Sequence, residues 1–156
     1  MNIRTYRPDD LDVLKALTVD GFQGVSIDHN IERAFGVING RDWRWRKARH
    51  IDDDVAADPG GVFVAEDDDG RVVGYITTRA DVEAGMGLIP NLVVAADVRG
   101  QGLGRALIEH ALEHFRRLGL THAKIETLEQ NPIGSHLYPA CGFREVARQV
   151  HFVREL

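Results

Sequence analysis

Apolar and polar residues alternate along this chain in two rhythms, and each rhythm predicts a different kind of element. Residues 62–66 are almost wholly apolar, and residues 71–78 are rich in β-branched and aromatic residues, so the two runs read as paired strands. The Asp67-Asp68-Asp69-Gly70 segment between them places a glycine where a tight hairpin turn requires positive φ. A third apolar run covers residues 88–94. Pro90 inside it has no N–H for a ladder bond, so a bulge or a strand start is expected there. From residue 104 to 118 the spacing changes: Leu107, Ala111, Leu112, Phe115 and Leu118 recur at helical intervals, and Gly119 ends the helix.

The flanking segments are read the same way. Residues 3–6 form a short strand, and Asp9 or Asp10 caps a helix that carries Leu11, Leu14, Leu17 and Thr18 on one side. Residues 20–30 give no clear pattern. A helical stretch spans about 31–51 and breaks near Asn39-Gly40, and Asp58-Pro59-Gly60-Gly61 is a loop. Residues 121–128 alternate as a strand. Asn131-Pro132 then supplies a cap and first helical residue for a short helix stopping near Gly142, and residues 146–153 read as a closing strand. The order predicts an α/β chain of the α+β type. Its mixed, largely antiparallel central sheet is flanked by helices, without the regular alternation of a doubly wound fold.

Length and composition bound this picture. A chain of 156 residues reads as one domain over 1–156, and its 44% hydrophobic content suffices for a core without metal or disulfide staples. Cys141 is the only cysteine, which suits a reducing compartment. The N-terminus lacks the apolar core of a signal peptide, and no run approaches the about 20 apolar residues of a membrane span. A cytoplasmic location, without membrane association, is therefore expected. A net charge of −5 argues against general nucleic-acid binding. The basic stretch Arg41, Arg44, Arg46, Lys47 and Arg49, followed by Asp52, Asp53, Asp54 and Asp58, reads as a solvated helix face and an acidic loop. A basic rim for cofactor phosphates is the weaker alternative.

The chemistry concentrates at Arg99-Gly100-Gln101-Gly102-Leu103-Gly104, between an apolar strand and an amphipathic helix. The first turn of a helix has N–H groups without internal partners, and its dipole favours anions. Glycines let those groups approach a pyrophosphate, and Arg99 and Arg105 flank the loop. The dinucleotide pattern G-x-G-x-x-G fails in either register, at Arg105 or at Leu107, and the P-loop lysine is absent.

These six residues match the R/Q-x-x-G-x-G/A signature of the GNAT superfamily, the acyl-CoA-dependent N-acetyltransferases. The resemblance extends upstream to Leu92-Val93-Val94 and downstream from Asn131 through Leu137-Tyr138 to Gly142-Phe143, which is similar to the family's N…LY…GF segment. It covers nearly the whole chain, least clearly residues 20–58. The resemblance implies a GNAT-like fold in which backbone groups of Leu92, Val93 and Val94 hold the acetyl group and pantetheine. It likewise implies that N–H groups from Arg99 through Gly100, Gln101, Gly102, Leu103 and Gly104 to Arg105 bind pyrophosphate. Asn131 would reach pantetheine or neighbouring backbone, and Tyr138 would lie near the sulfur.

The reaction expected is direct attack of an amine on a thioester, which needs a route for a proton off the amine and a donor for the thiolate. Tyr138, protonated at neutral pH, is the candidate acid, and a strand N–H such as that of Val94 is the candidate oxyanion donor. Many relatives carry a glutamate just before the glycine loop, but this chain has none over 88–94. Glu83 is the candidate base, with Glu126, His29, His122 and His136 as further options. Pro139 after Tyr138 departs from the family pattern and is expected to tighten or end the helix. The acceptor would enter over residues 20–50 and 79–90, where Trp43 and Trp45 point to different faces.

The expectation is an N-acetyltransferase moving an acetyl group from acetyl-CoA, its co-substrate, to a primary amine of a small molecule, an amino acid or a protein N-terminus. No metal is called for by the seven histidines, which show no ligand cluster. Homodimerisation through the last strand is a further expectation from the resemblance. A non-catalytic acyl-CoA-binding sensor module is the alternative.

Overall fold

Described over residues 1–156 by a computed structural model, the chain sorts its apolar side chains onto the two faces of a sheet. In β2 (Val62–Glu66), Val62 and Val64 point to one face and Phe63 and Ala65 to the other, as the pleat requires. β2 pairs antiparallel with β1 (Asn2–Thr5) and with β3 (Val72–Thr77), and β3 pairs antiparallel with β6 (Leu92–Val94). A bulge where β3 passes Ala65 and Glu66 resets the alternation, so Val73 joins Ile76 on the Phe63 face while Val72 and Tyr75 lie opposite. A second, smaller sheet contains β4 (Arg79–Asp81), β5 (Met86–Ile89) and β7 (His122–Ile125), with β5 and β7 parallel. The fold is thus mixed α/β with a largely antiparallel sheet.

One face is covered by α4 (Leu103–Arg117). Its Leu103, Leu107, Ile108, Ala111 and Phe115 fill the core with Val73, Ile76 and Ile89. The other face receives α1 (Leu11–Gly21) and α3 (Trp43–Ala57), whose Leu14 and Ile51 pack on Val62, Val64, Tyr75 and Val93. α2 (Ile27–Phe35) starts on the Ser26 cap, α3 on Asp42 and α5 (Pro132–Ala140) on Asn131, each side chain accepting a first-turn N–H. The break between α2 and α3 falls at Asn39 and Gly40, both at positive φ. No helix is long and apolar enough to cross a membrane.

Three features depart from the sequence reading. The acidic run 52–54 is not a loop but the continuation of α3, which reaches Ala57, and its basic neighbour Lys47 is buried with Asp54 instead of solvated. The chain after Thr78 makes an extra short strand, β4, hairpinned onto β5. Residues 146–153 form no strand: Val146, Val150 and Phe152 are exposed, and Arg148 is held by Glu129 and Glu145 at the surface. Alternation makes a segment suitable for a sheet, but pairing needs an available edge, which the pattern does not encode.

The start of the chain is tied to this frame by Arg4, whose guanidinium meets Asp10 at 2.8 and 2.9 Å. Asp10 also accepts the Arg7 N–H at 2.7 Å. The Arg4 bonds hold the Asp10 carboxyl below its ordinary range despite burial. A group whose folded-state titration is depressed contributes its stability above the unfolded value and loses it as pH falls. Asp10→Asn is therefore expected to lose about 2–3 kcal/mol at pH 7 in urea unfolding. The gap to the unsubstituted protein should narrow as pH falls below about 4.

Candidate active site

β5 and β7 run side by side as far as the Ile89–Ile125 pair, and there they part. Pro90 and Asn91 separate β5 from β6, and β6 continues along β3 instead of β7. The result is a fork, with β6 as one arm and the chain beyond β7 as the other. Thr77 N–H donates to the Asn91 carbonyl at 2.9 Å, and Ala95 N–H to the Val73 carbonyl at 2.8 Å. Bonded and non-bonded pairs alternate in an antiparallel ladder, so the Tyr75–Val93 pair is the bonded one between them. The backbone groups of Leu92 and Val94 consequently face the open fork. Those of Val93 are committed to Tyr75.

The glycine loop lies at the end of this arm. Gly100 and Gly102 have φ of 79° and 82°, and an added Cβ at either would meet nothing within 4 Å but would strain the backbone. Gly102 opens α4, and no side chain caps that terminus, in contrast to α2, α3 and α5. The N–H groups of Leu103, Gly104 and Arg105 thus have no intrahelical acceptor. Gly104 is required for a different reason: its Cβ would lie 3.0 Å from Leu137 Cδ2 and 3.9 Å from Val94 Cγ2. α4, α5 and β6 therefore converge on one point at the mouth of the fork.

Tyr138 occupies the same mouth on the α4 side of the sheet. Its ring approaches Gly134, which in turn lies against Thr127 just past β7, and packs edge-on to Phe143 at 6.3 Å. Burial alone pushes its phenol up to about 12, so the hydroxyl is a donor at neutral pH. Pro139 does not displace this turn. α5 continues to Ala140, and its end tightens as Cys141 and Gly142 donate back to Tyr138 and Pro139. Asn131 caps α5 through Gly134 N–H at 3.5 Å, a neighbouring-backbone role.

On the opposite face, against α3, is a cavity of about 230 Å³ lined by the polar and charged residues Lys47, His50, Asp53, Asp54, Arg79 and Asn91, together with Pro90. Trp43, Lys47, Ile51 and Asp54 recur at helical spacing, so two charged residues share a buried stripe with two apolar ones. Asp54 accepts from Thr77 Oγ1 at 2.8 Å, Asn91 Nδ2 at 2.7 Å and Arg79 at 2.9 Å. Asn91 Oδ1 accepts from Lys47 Nζ at 2.9 Å, and Asn91 N–H donates to Thr77 Oγ1 at 3.0 Å. The periodicity joining Lys47 and Asp54 to Trp43 and Ile51 was the available sequence signal for this network.

The other predicted residues are distributed unevenly. Arg99 Nε donates to the Val94 carbonyl at 3.0 Å, beside a second cavity of about 360 Å³ between the end of α1 and the loop. Arg105 reaches the Ala140 carbonyl at 2.9 Å and joins α4 to α5. Gln101 is exposed in the loop. Glu83 sits in the exposed β4–β5 turn, with the whole of β5 between it and the fork, so the structure does not bring it to the site. Glu126 is exposed and paired with Lys124. His29 is stacked on buried Trp43 at 4.6 Å and accepts from Gly24 N–H, His122 contacts Thr121, and His136 contacts the Pro132 carbonyl. Trp45, by contrast with Trp43, is partly exposed between Arg41 and Arg49.

The chain resembles known proteins in both sequence and fold. Residues 26–143 match the family model described as the acetyltransferase (GNAT) family. The chain is 32% identical over 149 residues to a mycothiol acetyltransferase of Propionibacterium freudenreichii, covering 94% of this chain and 44% of that protein. It is also 32% identical to a mycothiol acetyltransferase of Segniliparus rotundus, covering 72% of this chain and 44% of the other. The chain thus spans less than half the length of these curated relatives. Among solved structures, the PaiA N-acetyltransferase of Thermoplasma acidophilum in complex with coenzyme A superposes with a TM-score of 0.73 at 17% identity, over 92% of this chain and 89% of that one. A protein of Pyrococcus horikoshii superposes with a TM-score of 0.73 at 22% identity, over 96% and 92% of the two chains.

The Asn91 network carries a stability prediction. Asn91→Ala leaves a buried ammonium without its acceptor and a buried carboxylate one donor short. We expect a loss of about 2–4 kcal/mol in urea unfolding. A loss below about 0.5 kcal/mol, typical of surface sites, would contradict the network.

Proposed function

The chain belongs to the GNAT acetyltransferase family, and from that premise we propose that it transfers an acetyl group from acetyl-CoA to a primary amine by direct attack. The observation that carries the reading is the junction of the uncapped α4 N-terminus with the open edge of β6. Pyrophosphate fits the first: N–H groups from Gly100 to Arg105 point at an anion with the helix dipole behind them. Pantetheine amides fit the second, where the Leu92 N–H and carbonyl and the Val94 N–H take no partner from β3, while the Val94 carbonyl is held by Arg99 Nε. Arg99 before the loop and Arg105 in the first turn of α4 flank this site to offset phosphate charge.

With the phosphates held at Gly102 and the arm laid along β6, the thioester end lies toward Asn91, where the fork closes. The N–H groups of Leu92 and Val94 face that space and are the candidate donors for the oxyanion. The amine approaches from the cavity on the α3 face, whose charged and amide side chains carry both donors and acceptors. Its lone pair forms the C–N bond as the C–S bond breaks. Tyr138, on the α4 face, gives its proton to the leaving sulfur and recovers one from the new amide nitrogen. The names of the curated relatives support an amine-type acceptor.

Acetyl-CoA turnover over a panel of hydrophilic amines tests this reading. Turnover is expected, with Tyr138→Phe lowering kcat by about 10²-fold at little change in the KM for acetyl-CoA. Heat protection by a dinucleotide and not by CoA would sink the proposal.

A further inference from the structure

The chain has three lysines, at positions 15, 47 and 124. Lys15 and Lys124 lie at the surface and hold carboxylates at 2.7 and 2.9 Å. Lys47 is 8% exposed, and its short polar contact is to an amide, Asn91 Oδ1. The nearby carboxylates are already taken. Asp54 accepts hydrogen bonds from Arg79, Thr77 and Asn91, and Asp28 sits in longer ion contacts with Arg46 at 3.4 Å and His50 at 3.6 Å. The fold pairs its buried carboxylates with arginines and gives its buried lysine a neutral partner. An amide oxygen accepts a hydrogen bond from an amine as well as from an ammonium, so Lys47 keeps its place in either protonation state.

The position suits proton transfer. Lys47 lines the cavity from which the amine is proposed to approach, and its partner Asn91 is the residue immediately before Leu92. His50 Nδ1 is 3.5 Å from Lys47 Nζ, and the half-exposed imidazole continues toward solvent. The groups facing Nζ come from each packed element. They are Phe22 at the end of α1, 3.9 Å below, Asp28 from α2, His50 and Asp54 from α3, Arg79 from β4, and Asn91. Phe22 and the two carboxylates favour the ammonium. Burial opposes them, and it brings Lys47 down to about 8.

We propose that Lys47 is the general base of acetyl transfer, taking a proton from the acceptor ammonium and passing it through His50 to solvent. This rests on the acetyltransferase reading above. The ammonium loses one proton to the Nζ lone pair, and the free amine attacks the thioester carbon. The proton released by the new C–N nitrogen returns to Tyr138, which has protonated the sulfur. The balance is one amide, one thiol and one proton delivered to solvent.

The test is kcat against pH at saturating amine for the unsubstituted protein, Lys47→Arg and Lys47→Gln, with CoA affinity by calorimetry as the check of fold. Arginine keeps the charge but does not deprotonate, and glutamine keeps a neutral donor to Asn91. The active form is neutral Lys47, so kcat should rise with pH through an inflection near 8 in the unsubstituted protein. Both variants should bind CoA within about threefold, lose about 10²-fold or more in kcat, and lack that inflection. A variant that binds CoA and keeps kcat within about threefold, or keeps the same inflection, overturns the role of Lys47 alone. Absence of turnover by the unsubstituted protein sinks the acetyltransferase reading, and this inference with it. A variant that fails to fold leaves the decision to the other. If both fail, the Lys47 Cε NMR titration of the unsubstituted protein decides: a midpoint near 8 that moves on amine binding supports the role, and an ordinary lysine value overturns it.

Discussion

Asn91 commits its N–H, carbonyl, Nδ2 and Oδ1 to partners inside the protein: Thr77 twice, Asp54 and Lys47. A residue held at four points between two strands cannot slide to extend either of them. It therefore fixes where β5 ends and β6 begins, and with it the place where the chain parts from β7. Pro90 before it contributes by lacking the N–H that a continuous ladder would use. Partners of Asn91 are themselves buried and bonded, so removing any one exposes the others to a desolvation cost without compensation. The opening of the fork is in this sense a property of a polar network, while the rest of the sheet is held by apolar packing.

The two faces of the sheet then divide the chemistry. On the α4 side, Gly104 lets Leu137 approach Val94, and Tyr138 stands beside the open edge in apolar surroundings. On the α3 side the cavity is polar, and its charges are matched so closely that one lysine is left with an amide. A thiol leaving toward the first face and a proton leaving toward the second do not compete for the same groups. Between them, Leu92 and Val94 present backbone N–H groups whose direction is set by the ladder that Val93 makes with Tyr75.

The glycine loop, the 62–78 hairpin and the Asn131 cap were legible in the sequence because each rests on local rules: positive φ, strand alternation and first-turn N–H groups. The Pro90 break was legible for the same reason. Lys47 and Asp54 were not, since a run of basic then acidic residues describes a solvated helix well until one asks which positions share a stripe with Trp43 and Ile51. Glu83 was placed near the site by its sequence distance, but a hairpin turn carries it to the far end of β5. The segment 146–153 alternates as a strand does, yet pairing is a long-range event that alternation alone does not specify.

Residue-resolved amide exchange tests the fork most directly. In the free protein the Val93 amide should exchange slowly and those of Leu92 and Val94 quickly, because only Val93 is bonded to β3. Adding acetyl-CoA should slow Leu92 and Val94 and leave Val93 unchanged. Equal protection of all three residues in the free protein, or no change at Leu92 and Val94 on adding acetyl-CoA at a concentration that saturates binding, would contradict the account.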